Sequence, residues 1–324
     1  MVLMEKRKLS SRLSDTNRFK KLEGLIAAPH TPFGKDGEIN LNEIPKQVAL
    51  LIKSGVKGAY VCGTTGEGIS CSVAERKSVA ETWVRHAKGK LFLIVQVGAL
   101  ALKDAQELAA HAQKIGVDAT SIVPPNYFKP ASIDVLIDYI NAVVSYAPKL
   151  PFYYYHTVMS GVSLPMVQFL EKADDRISNL AGIKFNSQDL YEYQSCQRAC
   201  GGKYDITWGV DEFLAGAIAC GAKSAIGSTY NYSAPLYLKI WAAVEKGDLK
   251  SAQAGMTKVC QIIDMYNQYG GVAAGKAMMA IHGIDAGDVR LPLKALTSEQ
   301  KRDITIRLKK ILKDMDKQEI LPHE

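Results

Sequence analysis

The sequence predicts a (β/α)₈ TIM barrel with a C-terminal three-helix extension. Eight short apolar, β-prone segments alternate with eight longer segments whose apolar residues recur at helical spacing. Strands that alternate with helices form parallel sheets through right-handed crossovers, and eight units of roughly 25 residues each make one closed barrel. The chain has 324 residues, of which 47% are hydrophobic, so it can fill such a core as a single unit.

The predicted strands are short and rich in β-branched or aromatic residues. They cover residues 22–28, 58–62, 91–97, 119–123, 152–156, 180–184, 206–209 and 224–226. The predicted helices follow at 41–53, 73–87, 101–114, 133–146, 165–172, 190–198, 212–219 and 234–244. Ser72 and Glu75 form a capping-box pattern that opens the second helix. An open doubly wound sheet is the alternative, but no Gly-x-Gly-x-x-Gly follows the first strand.

Helical periodicity continues beyond the eighth unit, at residues 249–266, 273–281 and 298–312. We therefore divide the chain into a basic, mobile N-terminal arm (1–21), the barrel (22–246) and a C-terminal helical extension (247–324). The arm is polar and has no apolar centre, unlike a secretory signal.

Composition narrows the classes of function. The net charge is +7, much of it at the two ends, and no basic patch interleaved with aromatic residues suggests nucleic-acid binding. No apolar run is long enough to span a membrane. The six cysteines form no C-x-x-C pair and no zinc spacing, so we expect reduced thiols, a cytoplasmic protein and no metal.

Polar or glycine-rich residues follow six of the predicted strands. Barrel enzymes place their chemistry at the carboxyl ends of the strands, so these residues should meet at one mouth. The segments are 62–68, 124–127, 153–156, 184, 209–212 and 227–230.

Lys184 is the candidate nucleophile, because it ends the apolar segment 179–185. Burial disfavours a charged amine and lowers its pKa, and a neutral lysine can form a Schiff base with a carbonyl. The alternative is a strand-end lysine whose ammonium extends along the surface to water.

The segment 63–67, Gly-Thr-Thr-Gly-Glu, offers backbone N–H groups and the hydroxyls of Thr64 and Thr65 near a helix start. Such a turn can bind a carboxylate, and the alternative is a turn with purely structural hydroxyl bonds. We expect Glu67 to bond backbone amides rather than to react.

Tyr155 ends an aromatic strand, with Tyr153 on the same face and Tyr154 on the other. A tyrosine inside the barrel beside a Schiff base can transfer protons, and the alternative is core packing. We assign packing to Tyr153 and Tyr154, and a structural role to His156.

Asp211 and Glu212 are carboxylates at the barrel rim. They could bind substrate hydroxyls or cap the following helix, and the sequence does not separate these roles. No third ligand is clustered with them, which disfavours a metal. Ser228 and Thr229 follow Gly227 and could equally be turn hydroxyls.

Taken together, these segments resemble the N-acetylneuraminate lyase branch of the pyruvate-dependent class I aldolases. Dihydrodipicolinate synthase belongs to the same superfamily. The similarity keeps its order from about residue 22 to 293, where Arg-Leu-Pro-Leu (290–293) looks like the family's C-terminal signature.

The resemblance implies roles for individual residues. Lys184 would form the imine with pyruvate or with open-chain sialic acid, and Tyr155 would relay protons. Thr64 and Thr65 would hold the pyruvate carboxylate. The residues implied to bind the hydroxyl chain of the sugar are Gly209, Asp211, Glu212 and Ser228.

The resemblance also implies an assembly and no cofactor. Asn186, where the family often has Ser or Thr, could reach the substrate. Tyr127 looks like the tyrosine that some members donate to a neighbouring subunit's site, and the family is usually a homotetramer. No metal or nucleotide is needed for the reaction.

One departure concerns residues 156–161, where the family's proline is missing and the loop looks one residue shorter. The same stretch lacks the arginine of dihydrodipicolinate synthase and has Met159 in its region. The leading hypothesis is cleavage of N-acetylneuraminate to pyruvate and N-acetylmannosamine. The alternatives are a pyruvate-dependent aldolase for another 2-keto-3-deoxy sugar acid and a non-catalytic ligand-binding relative.

Overall fold

The computed structural model describes residues 19–317, and over this range it confirms the closed barrel. Eight parallel strands pair in sequence order, and the last pairs with the first, so the open-sheet alternative is wrong. The strands are β1 (Gly24–Ala27), β2 (Gly58–Val61), β3 (Phe92–Gln96), β4 (Ala119–Ile122), β5 (Phe152–Thr157), β6 (Leu180–Asn186), β7 (Asp205–Trp208) and β8 (Ser224–Gly227). The predicted N-terminal arm lies almost wholly outside the described residues, as do residues 318–324.

A helix follows every strand, and further helices follow the barrel. The helices are α1 (Ile44–Lys53), α2 (Val73–Ala87), α3 (Leu102–Ile115), α4 (Ile133–Val144), α5 (Met166–Ala173), α6 (Leu190–Arg198), α7 (Leu214–Ala219), α8 (Tyr230–Glu245), α9 (Leu249–Gln268), α10 (Val272–Met278) and α11 (Ser298–Lys317). The capping box of Ser72 and Glu75 opens α2 as predicted. No helix within residues 19–317 is both long and apolar enough to cross a bilayer.

Two predicted boundaries are wrong for physical reasons. Helix α8 begins four residues before the predicted start at residue 234, because the chain accommodates Pro235 by a kink at Ser233. Strand β6 extends two residues beyond Lys184 to Asn186, which still pairs with Thr157 of β5. Lys184 therefore lies inside a strand rather than at its end.

The barrel has an inner and an outer apolar layer. Inward-facing residues of alternate positions form the inner cluster, which includes Tyr60, Tyr153 and Tyr155. Tyr154 faces the other way and packs against Phe169 of α5, with ring centroids 4.9 Å apart. The predicted division of the three tyrosines between two faces is confirmed.

Asp205 links the amino-terminal end of the barrel to the segment that precedes β1. Its Oδ2 accepts hydrogen bonds from the backbone N–H of Leu22 and from the hydroxyl of Tyr153, both at 2.9 Å. Burial raises the pKa of this carboxyl group to about 6, and the two hydrogen bonds only partly oppose the effect.

Asp205 should make stability fall as the pH rises. The pKa in the folded state exceeds the ordinary value of 3.8, so the contribution is full below about pH 4 and is lost as the pH rises through about 6. Asp205→Asn keeps an oxygen for both donors but cannot ionise. Relative to this variant, the wild-type protein should lose on the order of 2–3 kcal/mol of unfolding free energy over that range. Urea unfolding at several pH values measures the difference, and a constant difference would contradict the account.

Candidate functional site

A cavity of about 230 Å³ opens at the carboxyl ends of the strands. Nine of the ten predicted site residues line it: Thr64, Thr65, Tyr155, Lys184, Asn186, Gly209, Asp211, Glu212 and Ser228. The tenth, Tyr127, is 79% exposed and lies outside the cavity, where its ring packs edge-on against Phe128. The structure thus brings the strand-end residues together but not Tyr127.

Lys184 is buried at the base of the cavity, with only 4% of its surface exposed. The alternative hypothesis, that the ammonium of Lys184 extends along the surface to water, is therefore wrong. Its Nζ lies 4.0 Å from the ring centroid of Tyr155 and 4.1 Å from that of Tyr60. Burial lowers the pKa of the amine, whereas the nearby Tyr155 and Asp211 raise it. None of the ion pairs found among residues 19–313 includes this lysine, so its amine can be a nucleophile.

Strand register explains why Lys184 meets Tyr155. The two residues are directly paired between β5 and β6, and Thr207 of β7 is the partner of Lys184 on the other side. Gly182 permits this pairing, because a Cβ there would lie 1.7 Å from the carbonyl oxygen of Asp205. A side chain at position 182 would force β6 and β7 apart beneath the lysine.

Tyr60 is a site residue that the sequence analysis missed. Its ring meets that of Tyr155 edge-on, with centroids 5.8 Å apart, and its hydroxyl donates to Ser121 Oγ at 2.9 Å. The two rings shield the Lys184 amine from water on two sides. Its position, two residues before Cys62 and on the inward face of β2, was the available signal.

The turn that carries Thr64 and Thr65 is tightly constrained. A Cβ at Gly68 would lie 2.0 Å from the carbonyl oxygen of Cys62, so only glycine fits there. The hydroxyl of Thr31 donates to the carbonyl of Gly66 at 2.6 Å and fixes the turn to the β1 loop. The two threonines thus face the cavity from a fixed backbone, as a carboxylate site requires.

Glu67 ends this turn, and its side chain does not line the cavity. Its Oε2 accepts from a backbone N–H at 3.0 Å, but this N–H belongs to Arg290 and not to the turn, where the prediction had placed it. It also forms an ion pair with Lys276 of α10, with Oε1 and Nζ 2.6 Å apart, which the sequence did not predict.

Asp211 is buried and holds the start of α8. Its Oδ2 accepts from the backbone N–H and the hydroxyl of Thr229, at 3.0 and 2.6 Å. Its Oδ1 has no hydrogen-bond partner among the described residues. A Cβ at Gly227 would lie 1.7 Å from that oxygen, so the glycine makes room for it. Burial raises the pKa of this carboxyl group.

The alternative that Asp211 caps the next helix in the sequence, α7, is wrong. Its carboxylate instead accepts hydrogen bonds at the start of α8. Its Oδ1 remains an acceptor for a further donor, and the hydroxyl of Tyr230 also interacts with this carboxyl group and opposes the rise in its pKa. Glu212 is partly exposed beside it, and burial raises the pKa of its carboxyl group as well. The pair therefore offers oxygen atoms to hydroxyl donors.

Asn186 lines the cavity at the end of β6. Its Nδ2 donates to the carbonyl oxygen of Gly209 at 2.8 Å. A Cβ at Gly209 would lie 2.9 Å from the Cβ of Asn186, which requires the glycine. The amide thus joins β6 to the loop that carries Asp211.

The loop segment 156–161 after Tyr155 contains a short helical turn and no proline. Residues Val158–Ser160 form one turn of 3₁₀ helix, with Thr157 accepting from the N–H of Met159 and Ser160 donating to the carbonyl of Thr157. This turn places Met159 at the cavity wall. His156 packs against Phe185, and burial lowers its pKa to about 4, in agreement with a structural role.

Helix α9 contributes three cavity residues that strand-end reasoning could not find: Ile263, Tyr266 and Asn267. Burial raises the pKa of Tyr266 to about 12, and interaction with Ser228 opposes the shift. These residues reach the site only because the C-terminal helices fold back onto the barrel, which periodicity does not reveal.

Among the described residues, no cluster of three or more His, Cys, Asp or Glu side chains is arranged for a metal ion.

Comparison with known proteins gives consistent similarities. The model of the dihydrodipicolinate synthetase family matches residues 21–311. N-acetylneuraminate lyase from Rattus norvegicus is 41% identical over 302 residues, which cover 90% of this chain and 93% of the relative. The structure of N-acetylneuraminate lyase (sialic acid aldolase) from Aliivibrio salmonicida is 53% identical, with a TM-score of 0.89 and coverage of 90% and 98% of the two chains. A sialic acid aldolase from Ruminococcus gnavus, solved as a catalytic-lysine mutant, is 31% identical, with a TM-score of 0.85 and coverage of 90% and 97%.

Proposed function

Because this chain belongs to the dihydrodipicolinate synthetase family, we propose that it is a Schiff-base aldolase that cleaves N-acetylneuraminate reversibly to pyruvate and N-acetylmannosamine. The observation that carries the proposal is the buried Lys184 amine between two tyrosine rings at the base of the cavity. The named relatives are N-acetylneuraminate lyases and sialic acid aldolases, and one of them is described by its catalytic lysine.

Binding begins at the 2-keto acid end of the substrate. Thr64 and Thr65 bind the carboxylate through hydroxyl and backbone donors at the tight turn. This contact directs the neighbouring ketone towards Lys184. Since the amine is buried and its pKa is lowered, the neutral form is available for attack.

Covalent chemistry then follows from a neutral amine and a ketone. The Lys184 nitrogen adds to the carbonyl carbon, and loss of water gives a protonated imine. The carbon–carbon bond between C3 and C4 breaks, and its electron pair moves into the imine to give an enamine. The hydroxyl at C4 loses its proton and becomes the aldehyde of N-acetylmannosamine. Protonation of the enamine and hydrolysis release pyruvate and restore the lysine.

Tyr155 is the proton carrier in this scheme. Its ring lies 4.0 Å from the Lys184 amine, so its hydroxyl is close to the atoms that gain and lose protons. The phenol gives its proton to the hydroxide that leaves as water when the imine forms. The resulting phenolate accepts the proton of the C4 hydroxyl, and the phenol then gives a proton to the enamine carbon.

Asp211 and its neighbours select a polyhydroxylated substrate. The Oδ1 of Asp211 accepts a hydrogen bond from a hydroxyl of the sugar chain, while Glu212 and Ser228 line the same wall. Asn186 and the Gly209 backbone lie beside them. A substrate without these hydroxyls would leave the carboxylate unsatisfied, which costs affinity.

Asp211→Ala should separate sugar recognition from imine formation. We expect the KM for N-acetylneuraminate to rise roughly tenfold or more, because a charged hydrogen bond to the hydroxyl chain is lost. Half-saturation by pyruvate in borohydride trapping should change much less. Steady-state kinetics and trapping on the same preparation measure both values. Unchanged kinetics with the sugar acid would remove Asp211 from the site.

Substrate profiling tests the proposed activity. Pyruvate release is followed with N-acetylneuraminate and with 2-keto-3-deoxy sugar acids that lack the acetamido group. The proposal requires the highest kcat/KM for N-acetylneuraminate. A higher value for another acid would favour the alternative aldolase, and no release from any acid would favour a ligand-binding relative.

We also propose that the chain acts as a cytoplasmic homotetramer. The six cysteines are free, as in a reducing compartment. Tyr127 and Phe128 form an exposed aromatic pair, 79% and 85% accessible, on the loop between β4 and α4. In the proposed assembly Tyr127 reaches a neighbouring subunit's site. Light scattering should give the tetramer mass, and a monomer mass would contradict the proposal.

A further inference from the structure

We propose that Glu67 and Lys276 are positioning residues that hold the turn 63–67 in the conformation that binds the substrate carboxylate. The inference rests on the proposed function, because it concerns the same carboxylate. Neither residue lines the cavity, so the pair acts through Thr64 and Thr65.

The pair is buried to an unusual degree. Both side chains are 1% exposed, and Nζ of Lys276 lies 2.6 Å from Oε1 of Glu67. Moving two charges out of water costs several kcal/mol for each ion, and apolar residues of similar volume are often equally stable in such places. Stability alone is therefore a weak reason for a buried ion pair at this position.

The pair connects the turn to the C-terminal helices. Lys276 belongs to α10, donates to the carbonyl of Asp288 at 2.9 Å and lies 3.9 Å from the ring centroid of Phe33. The other carboxylate oxygen of Glu67 accepts from the N–H of Arg290 at 3.0 Å. Two separate parts of the C-terminal region thus bind one carboxylate of the turn.

Arg290 extends this connection to the first turn of α2. Its guanidinium contacts Glu75, with Nη1 and Oε2 2.9 Å apart, and it donates to the carbonyl of Gly37 at 2.8 Å. The contacts of Arg290 with Glu75 and Gly37 therefore fix the C-terminal segment that binds Glu67. A segment fixed in this way can hold the turn in place.

The backbone of Glu67 transmits this restraint to the threonines. Glu67 has φ of +51°, a left-handed conformation that side-chain-bearing residues rarely adopt. Its N–H donates to the carbonyl of Thr64 at 3.0 Å, and the N–H of Gly68 donates to the carbonyl of Gly63 at 3.1 Å. Release of the Glu67 side chain would let this strained residue relax and would move Thr64 with it.

Among the described residues, Glu67 is the anion that interacts most strongly with Lys276, and Asp288 has a smaller effect. His30 is buried against Gly275, where a Cβ would lie 2.5 Å from the imidazole Cε1. Burial, with a smaller effect of Lys276, lowers the pKa of His30 to about 3, so the ring is neutral. Glu67 is the carboxylate that balances the buried ammonium, and removal of either partner alone leaves a charge unpaired.

The double variant Glu67→Gln/Lys276→Met tests the inference, because it removes both charges and keeps similar volumes. The readouts are thermal unfolding and borohydride trapping as a function of pyruvate concentration. We expect the double variant to fold and to reach the same maximum of trapping as the wild type. Half-saturation should need a pyruvate concentration roughly tenfold higher, because the groups that donate hydrogen bonds to the pyruvate carboxylate are displaced. A merely structural pair would change the unfolding temperature and leave half-saturation at the wild-type value, which would overturn the inference.

Two further variants keep the test decisive. If the double variant does not fold, Glu67→Asp retains both charges but shortens the side chain by one methylene. The same rise is then expected, and an unchanged half-saturation overturns the inference. Lys301→Met removes an exposed ion pair with Asp288 on the same C-terminal segment and should leave trapping unchanged. If the wild-type protein itself is not trapped, the proposed function fails instead.

Discussion

Lys184→Ala should abolish release of pyruvate from N-acetylneuraminate, with a loss of at least about 10³-fold in kcat, because the nucleophile is removed. Lys184 supplies the amine of the cavity, and no other lysine is among the described residues that line it. The protein should remain folded, since the change leaves no unpaired buried charge. Coupled assays of pyruvate release and circular dichroism check the two expectations. Turnover within tenfold of the wild type would rule out an imine on Lys184.

The pH dependence gives this prediction a second readout. A neutral amine attacks carbonyls, and burial lowers the pKa of Lys184 below the ordinary value of 10.5. The rate of imine trapping by the wild-type protein should therefore rise with pH and then level off. The plateau should begin at a lower pH than it would for a free lysine. A rate that still rises through pH 10.5 would show that the pKa of the Lys184 amine is not lowered.

Tyr155→Phe should lower kcat on the order of 10²-fold or more, because only the proton-transferring hydroxyl is lost. The ring that packs against the Lys184 amine and meets Tyr60 edge-on remains in the variant. Imine formation with pyruvate should survive better than carbon–carbon cleavage. Single-turnover measurement of cleavage, compared with trapping at saturating pyruvate, separates the two steps.

Tyr153→Phe is the matched control for this prediction. Tyr153 lies two residues earlier on the same inward face, but its hydroxyl donates to Asp205 near the opposite end of the barrel. Its loss should lower stability by about 1 kcal/mol and leave kcat nearly unchanged. Equal kcat losses in the two variants would show that the hydroxyl of Tyr155 has no special part in the reaction.

The sequence predicts the barrel well because its signals are local. Alternation of β-prone and helical segments, with glycines and polar residues at the strand ends, is visible in any window of the chain. The same periodicity puts Tyr153 and Tyr155 on one face of β5 and Tyr154 on the other. The kink that lets α8 begin before Pro235 depends on tertiary packing, and no local rule predicts it.

The candidate site is only partly predictable, because several of its features arise from contacts distant in sequence. The strand-end rule located Lys184, Thr64 and Asp211. It missed Tyr60, which lies below the end of β2, and the α9 residues, which reach the cavity through the fold of the C-terminal helices. The function of Asp211 as an anchor for α8 depends on Thr229, 18 residues later.

The Glu67–Lys276 ion pair shows the same limit. The two residues are separated by more than 200 positions, and each alone is unremarkable in the sequence. Local reasoning gave Glu67 a backbone amide of its own turn as partner, whereas the observed amide is that of the distant Arg290. It could not identify the buried ammonium, because that contact exists only when α10 packs on the barrel.

The most direct test of the Schiff-base mechanism is borohydride reduction of the wild-type protein with pyruvate, followed by peptide mass mapping. The mechanism predicts one stable pyruvate adduct, located on the peptide that contains Lys184 and absent from the Lys184→Ala variant. No adduct from a folded protein, or an adduct confined to another lysine, would contradict the Schiff-base mechanism.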